Sequence, residues 1–422
     1  MPRPRLLFVT LLLLATSVAV PLNAKSRSLE LKSYDLTSDK ETKTLLLKLL
    51  ARGELAIAET SQDEKLEQVA LISLVKSDAE TIFRLITTPE EHPKFINGVV
   101  SVNIKERKEK EIIYDYEIGA PLDNIDLTLK MRIVSPLKIE SEPAGGDIKT
   151  GAWRWELTPI SQNETLVSYY AYAEISEINF LMRELLKIET SLEIGVNITS
   201  AFMGLSGIKR KAEGKAPSGD YVKMNGEKKH HPDVMPLIAA TGINRLADIM
   251  KLISPRSYLV LVESKDDGAI RQIHVVKPLN APQKLFFEVL ARPEEYPKYI
   301  EAVKRADILY AKNNLKKMDI TLKMPLLGSV NYQADFLIKE PSFVYVKALG
   351  GDIKNGRWIW QAEPIGETKS LIAYSYYADM REMSWFFNVL FAIDPTMEHG
   401  ANIGGGITTV KKICEIVYRK KQ

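Results

Sequence analysis

The chain has 422 residues, a formal net charge of +3 and 26% charged residues. Charges this balanced, with dispersed lysines, give no electrostatic case for a nucleic-acid partner. The single cysteine, Cys414, excludes an internal disulfide and reads as core packing in a last helix, and the length exceeds that of one ordinary domain.

The first residues stand apart from the rest. Arg3 and Arg5 precede the apolar run Leu6 to Val20, and Pro21-Leu22-Asn23-Ala24 ends on a small residue. This has the form of a secretory signal peptide. The run is shorter than the roughly 20 residues a spanning helix needs, and no cysteine follows it that could carry a lipid anchor. Residues 1–24 are therefore expected to be removed and the protein exported, to the periplasm.

Beyond the signal, a short helical run at Leu45 to Leu50 leads into strands at Leu55 to Ala58 and Val69 to Val75. Ser77 to Phe83 reads as a helix start, with serine at the cap and Glu80 three residues on. Pro89 and Pro93 punctuate a second short helix. Strand character follows at Val99 to Ile104, Ile112 to Ile118, Ile125 to Val134, Ala152 to Leu157 and Leu166 to Ala173. The separators are short and hold charges, Gly, Pro or Asn, so consecutive antiparallel hairpins are expected. Helical spacing returns from Ile178 to Ala212. The polar stretch Glu213 to Asp233, with its basic run Lys228-Lys229-His230-His231, reads as linker.

The same order then begins again. Pro89 to Ile96 (PEEHPKFI) returns as Pro293 to Ile300 (PEEYPKYI) at an offset of 204, and Leu55 to Thr60 answers Leu259 to Ser264. GGDIKTGAWRW at 145–155 returns as GGDIKNGRWIW at 350–360, an offset of 205, as do Gly195-Val196-Asn197 and Gly400-Ala401-Asn402. The slip of one residue falls near Leu122 and Leu326. A duplication of roughly 170 residues per unit sets the domain count at two. One unit spans 37–212, a linker 213–240, and the second unit 241–422, from the helix Leu246 to Ile253 through to Lys411, Ile413 and Val417. The fold class is α+β: in each unit a curved antiparallel sheet is closed by a long C-terminal helix, leaving room for a cavity between them.

Candidate site residues come in matched pairs. Gly151 and Gly356 supply a hairpin turn and are expected at positive φ. Alternation puts Trp153 and Trp155 on one face of a strand, and Trp358 and Trp360 on the corresponding face of the other unit. The next strand adds Tyr169 and Tyr374, phenols that need a partner or a ligand polar group. Asn197 and Asn402 lie on a helix turn beside a glycine, where a backbone passes close to the sheet or leaves space. Each of these residues could equally be core filler.

The PEExPKxI stretch, the GxWxW strand, the strand with Thr165, Val167 and Tyr169, and Trp385 near the start of the last helix together resemble the START-like superfamily. The similarity is greatest to its polyketide cyclase/dehydrase and lipid-transport group, which includes coenzyme Q-binding proteins. It covers Leu55 to Ala212 and Leu259 to Arg419, and the helix and strand ahead of each unit depart from it. The resemblance implies tandem helix-grip domains around hydrophobic pockets for lipids, sterols, quinones or polyketides, with no cofactor.

No catalytic signature competes. The five histidines lack metal-ligand spacing, and no GxSxG, Walker or dinucleotide motif is present. Glu174 and Asp379 are matched acids expected at the solvent, and His92 becomes Tyr296 in the second unit. The aromatic run with Trp385, Phe386, Phe387 and Phe391 suits a transient membrane contact. The expected function is an exported carrier of hydrophobic small molecules. The alternatives are a cyclase or dehydratase-type enzyme using the same pocket, and an interaction module with filled cores. Export predicts a mature chain beginning near Lys25; an intact mass of protein made in a secreting host that retained residues 1–24 would contradict it.

Overall fold

The computed structural model describes residues 29–119, 124–178, 183–184, 186–187, 189–215, 234–265, 270–324, 328–339, 341, 343–378 and 397–421. The expected signal, most of the linker, Asp379 and the run around Trp385, Phe386 and Phe387 lie outside the described residues, as do Leu122 and Leu326.

In the first unit, helix α1 (Lys40–Leu50) precedes strands β1 (Glu54–Thr60) and β2 (Leu66–Val75), then α2 (Ala79–Thr87) and a 3-10 turn at Pro89–Lys94. Six strands follow: β3 (Val99–Arg107), β4 (Glu111–Ile118), β5 (Ile125–Ser135), β6 (Lys138–Gly146), β7 (Gly151–Ser161) and β8 (Glu164–Ala173). Helix α3 (Ser191–Ala212) closes the unit. The second unit repeats the order with α4 (Leu237–Thr241), a 3-10 turn at Leu246–Lys251, β9 (Tyr258–Ser264), β10 (Ile270–Leu279), α5 (Gln283–Leu290) and a 3-10 turn at Pro293–Lys298. Its remaining strands are β11 (Val303–Lys312), β12 (Leu315–Met324), β13 (Gly328–Lys339), β14 (Phe343–Gly351), β15 (Arg357–Pro364) and β16 (Ser370–Tyr377), before helix α6 (Met397–Lys421).

All strands join one open antiparallel sheet of 16, in the order β11-β12-β13-β14-β15-β16-β10-β9-β1-β2-β8-β7-β6-β5-β4-β3. The departure seen in the sequence, a strand ahead of each unit, is the joint. β1 pairs with β9, and Ala56 faces Val260, its own equivalent at the offset of 204. The units are thus related by an approximate two-fold axis through that pair. The terminal helices cross on the same symmetry. Gly195 abuts Gly404, Gly400 abuts Thr199, and Ser191 Oγ lies 2.7 Å from Thr408 Oγ1. Asn197 and Asn402, equivalent at 205, sit at the centre of that crossing.

The joint explains why the central strands read as near-continuous apolar runs. Ala56, Val260 and Val262 face the layer of α3 and α6, while Leu55, Ile57, Leu259 and Leu261 face a second layer. That second layer comprises Leu46 and Leu49 of α1 with Ile249 and Leu252. Strands covered on both faces lose the polar alternation of a half-exposed strand. Several charges caught near the joint are paired, which offsets the cost of burying them. Arg52 Nη2 binds Glu263 Oε2 at 2.9 Å, and Lys209 Nζ binds Glu54 Oε1 at 3.0 Å. His274 bridges Glu263 (3.0 Å) and the Ser375 hydroxyl (2.7 Å) with no exposure. The outer strand β3 carries charges, which disfavours pairing of that sheet edge with other chains.

Three expectations change. The cap of α2 is Asp78 rather than Ser77: its carboxylate accepts the Thr81 amide at 2.7 Å, because carboxylate and amide are already aligned one residue later. Strand β6 is absent from the sequence reading, since Pro143 and Gly145-Gly146 look like a turn; it nevertheless pairs with β5 and β7. Finally, Gly146 and Gly351 hold the positive φ, at 96° and 94°, and Gly151 and Gly356 do not. The left-handed residue is needed where β6 and β14 leave the ladder. There Asp147 and Asp352 return a carboxylate to the amides of Asp126 (2.8 Å) and Asn331 (2.7 Å).

The helix crossing generates a test. A side chain at Gly195 would start 2.7 Å from the Gly404 Cα, so Gly195→Leu should lower stability by about 1–3 kcal/mol. Gly405→Ala, exposed on α6, should be neutral or slightly stabilising. Denaturant midpoints of the two variants check the pair.

Candidate functional site

The paired tryptophans owe their place to the glycine before them. Gly151 precedes Trp153 by two residues on the same face, and a Cβ at Gly151 would lie 2.9 Å from Trp153 Cη2; Gly356 likewise makes room for Trp358. The indoles therefore fold back along their own strand. The repeated stretch is a spacing device: a left-handed glycine and an aspartate close the turn, an isoleucine (Ile148, Ile353) buries itself, and a second glycine seats an indole.

Across the ladder Trp155 faces Tyr169, and Trp360 faces Tyr374. The rings stack at 3.9 Å and 19° in the first unit and at 4.1 Å and 27° in the second. Trp155, Trp360 and Tyr374 are buried, whereas Trp153, Trp358 and Tyr169 are half-buried. The structure thus brings six of the eight residues singled out in the sequence onto two equivalent walls. The other two are held elsewhere. Asn197 Oδ1 accepts the Ala173 amide at 2.8 Å, and its Nδ2 donates to the carbonyls of Ala173 and Glu193, both at 3.1 Å, so it pins α3 to the end of β8. Asn402 Nδ2 donates to Glu398 O at 2.9 Å within α6. Both polar atoms of the Asn197 carboxamide are engaged by protein in this way.

Further residues extend each wall. In the first unit, Tyr114 and Tyr116 of β4 lie edge to face at 5.9 Å, and His92 lies edge-on to Tyr116 at the same distance. In the second, Tyr332 approaches Trp358 at 6.1 Å, Phe286 of α5 meets Trp360 at 5.8 Å, and Tyr376 extends the Trp360–Tyr374 stack at 4.8 Å. The Tyr376 phenol donates to the Asn402 carbonyl, under Gly406. Tyr376 stands where the first unit has Ala171, whereas Met318 and Ile320 stand where it has Tyr114 and Tyr116. The alternation Tyr114-x-Tyr116 carried the signal for the β4 wall.

Tyr116, Tyr169, Tyr296 and Tyr332 are half-buried, so part of each surface is free of protein contact. Loss of solvation nonetheless drives all four phenols above their ordinary value.

His92 is the polar element special to the first unit. Its Nε2 lies 3.0 Å from the Leu85 carbonyl, which only accepts, so Nε2 carries the proton and Nδ1 faces the Tyr116 hydroxyl at 3.4 Å. Burial holds the imidazole neutral, with its pKa lowered to about 4. Tyr296, at the same place in the second unit, donates to Leu290 O. On the helix side, the Glu193 carboxyl is pushed up to about 7, first by burial and then by Glu174. Glu174 itself caps the following turn through Ser176, with its other oxygen accepting from the Tyr172 phenol at 3.2 Å.

In each unit a strand leads through two short helical segments to six antiparallel strands, the last returns beside the first, and a long helix lies across the concave face. This helix-grip arrangement occurs twice in the chain. No protein-family model matches the chain, and no curated protein is similar to it in sequence. Solved structures to which it is similar include the di-domain ARO/CYC StfQ from the steffimycin biosynthetic pathway. That structure is 10% identical, with 83% of this chain and 98% of that chain covered and a TM-score of 0.30. The Zhui aromatase/cyclase from Streptomyces is 11% identical over 36% of this chain and 96% of its own, at a TM-score of 0.29. A STAR-related lipid transfer protein fragment from Xanthomonas axonopodis is 12% identical over 38% and 94%, at 0.31.

The histidine of the first unit generates a pH prediction. An unfolded imidazole takes its proton near pH 6.5, whereas the folded one resists to about 4. The unfolded state therefore gains protons first, and stability falls as the pH drops through that window, by up to about 3 kcal/mol from this group. His92→Tyr, which copies the second unit, should flatten the fall between pH 6.5 and 4 in denaturant titrations; an unchanged slope would assign acid sensitivity elsewhere.

Proposed function

We propose that each START-like unit binds a hydrophobic small molecule (lipid, quinone or sterol-like) between its curved sheet and terminal helix, and that the protein is an exported, non-enzymatic carrier. One observation carries the reading: the enclosed yet partly free phenols beside the Trp155–Tyr169 and Trp360–Tyr374 stacks. Apolar ligand surface leaving water contributes about 25 cal/mol per Å², enough to hold such a molecule without covalent chemistry. Aromatic walls give flat contact, and the phenols and indoles supply a few donors for a polar head.

A second reading rests on His92 and Tyr116. A neutral imidazole whose free nitrogen faces a phenol is a proton acceptor at a cavity wall, and a cyclase or dehydratase acting on an apolar chain would use such a pair. The second unit, with Tyr296 at that place, lacks it.

Organic extraction of the purified protein followed by mass spectrometry is the direct test, and it should release a stoichiometric apolar compound. Trp155→Ala or Trp360→Ala should lower uptake of a fluorescent fatty acid or quinone analogue in a chain that stays folded. If the indoles only fill the core, truncation costs about 3–5 kcal/mol of stability with uptake unchanged. That outcome, with an empty extract, would overturn the proposal.

A further inference from the structure

The two units build the same hairpin from opposite chemistry. Strands β3 and β4 in the first unit, and β11 and β12 in the second, form the outer hairpins at the two ends of the sheet. Each edge strand carries a bulge at the same place: the register slips between Ile104 and Glu106 and between Ile308 and Tyr310. A bulge turns neighbouring side chains outward together. In the first unit those side chains are Lys105 and Glu106, and Lys105 is paired with Asp115 at 2.6 Å. In the second they are Leu309 and Tyr310, each 50% exposed, next to Ile308 at 43%. The first unit shows that this backbone is made by lysine and glutamate, so the fold does not require Leu309 or Tyr310.

The charges change in step. From Ile104 to Ile113 the first hairpin holds Lys105, Arg107, Lys108 and Lys110 against Glu106, Glu109 and Glu111. From Ile308 to Lys317 the second holds Lys312, Lys316 and Lys317 and no acid. Lys316 is engaged with Glu294 at 2.9 Å, but Lys312 is exposed at the tip beside a shallow depression formed with Tyr310, Asn313, Asn314, Leu315 and Leu337. Lys339 lies exposed at the end of β13, next to the strand that carries this turn.

We propose that the β11–β12 hairpin docks the protein on an anionic lipid surface, with Leu309 and Tyr310 entering the interface and Lys312 and Lys317 facing the headgroups. Aliphatic and tyrosyl side chains beside Lys312, exposed at the tip, and Lys317, which stands across from Tyr310 on one side and Asp335 on the other, match a membrane interface, where the apolar groups leave water and the amines meet negative charge. This surface stands whether or not the interiors bind a ligand.

The experiment is co-sedimentation of the full chain with phosphatidylcholine vesicles, with and without phosphatidylglycerol, at low and high salt. The expected result is binding to the anionic vesicles that weakens with salt. Exchanging the bulge for the first unit's residues, Leu309→Lys with Tyr310→Glu, should lower binding at least about tenfold while leaving the thermal transition in place. Lys312→Gln and Lys317→Gln should each lower it by about fivefold. The reverse exchange, Lys105→Leu with Glu106→Tyr, should raise it. Equal binding to neutral and anionic vesicles, or full binding by the exchanged hairpin, would overturn the proposal. So would self-association of the chain through this hairpin without vesicle binding, which would assign the patch to a second copy.

Discussion

The antiparallel pairing of β1 with β9 is the constraint on which the rest of the molecule depends. Each unit alone would end its sheet at an apolar strand with free N–H and C=O groups, a site for pairing with other chains. The duplication supplies the partner, and Ala56 against Val260 fixes the two-fold relation. Everything near the axis follows from that register. The terminal helices are brought together so closely that a Cβ at Gly195 would lie 2.7 Å from the Gly404 Cα. The central strands are buried on both faces, and a second layer from α1 and the turn at Leu246–Lys251 covers what a lone helix-grip unit would expose.

The axis also divides the labour within each unit. Close to it, Asn197 holds the end of β8 to α3 with satisfied hydrogen bonds. Away from it, toward β4 to β8 and β12 to β16, the concave face carries stacked aromatics whose phenols are poorly solvated yet not wholly covered. There the copies have diverged. The first keeps Tyr114, Tyr116 and a neutral His92, while the second substitutes Tyr376 for Ala171 and Tyr296 for His92. Two interiors of one architecture and different lining suit two different apolar guests, or one guest held by one unit.

Much of this was legible in the sequence, for physical reasons. The α+β order, the duplication and the shared face of Trp153 with Trp155 and of Trp358 with Trp360 follow from side-chain periodicity, which the sheet obeys. Strand β6 was not legible, because Pro143 and two glycines mimic a turn and only pairing on both sides makes them strand. Which glycine takes positive φ was not legible either: Gly146 and Gly151 are alike in sequence, and only the exit from the β5 ladder separates them. The role of Asn197 was hidden because a helical asparagine beside glycine fits a pocket and a crossing equally well, and the partner that decides, the end of β8, comes from the tertiary fold. The joint itself was visible only as a strand ahead of each unit that the family resemblance did not explain.

The account's central claim is that the interiors beside Trp155 and Trp360 admit an apolar guest. Quenching of tryptophan fluorescence by a brominated fatty acid reads contact with those rings directly, in a chain whose Trp153, Trp358 and Trp385 are replaced by phenylalanine so that only these two of the five tryptophans report. The account predicts saturable quenching, reversed by the unbrominated acid. Quenching that rises only linearly with the brominated acid, as for indoles shut in a filled core, would contradict it.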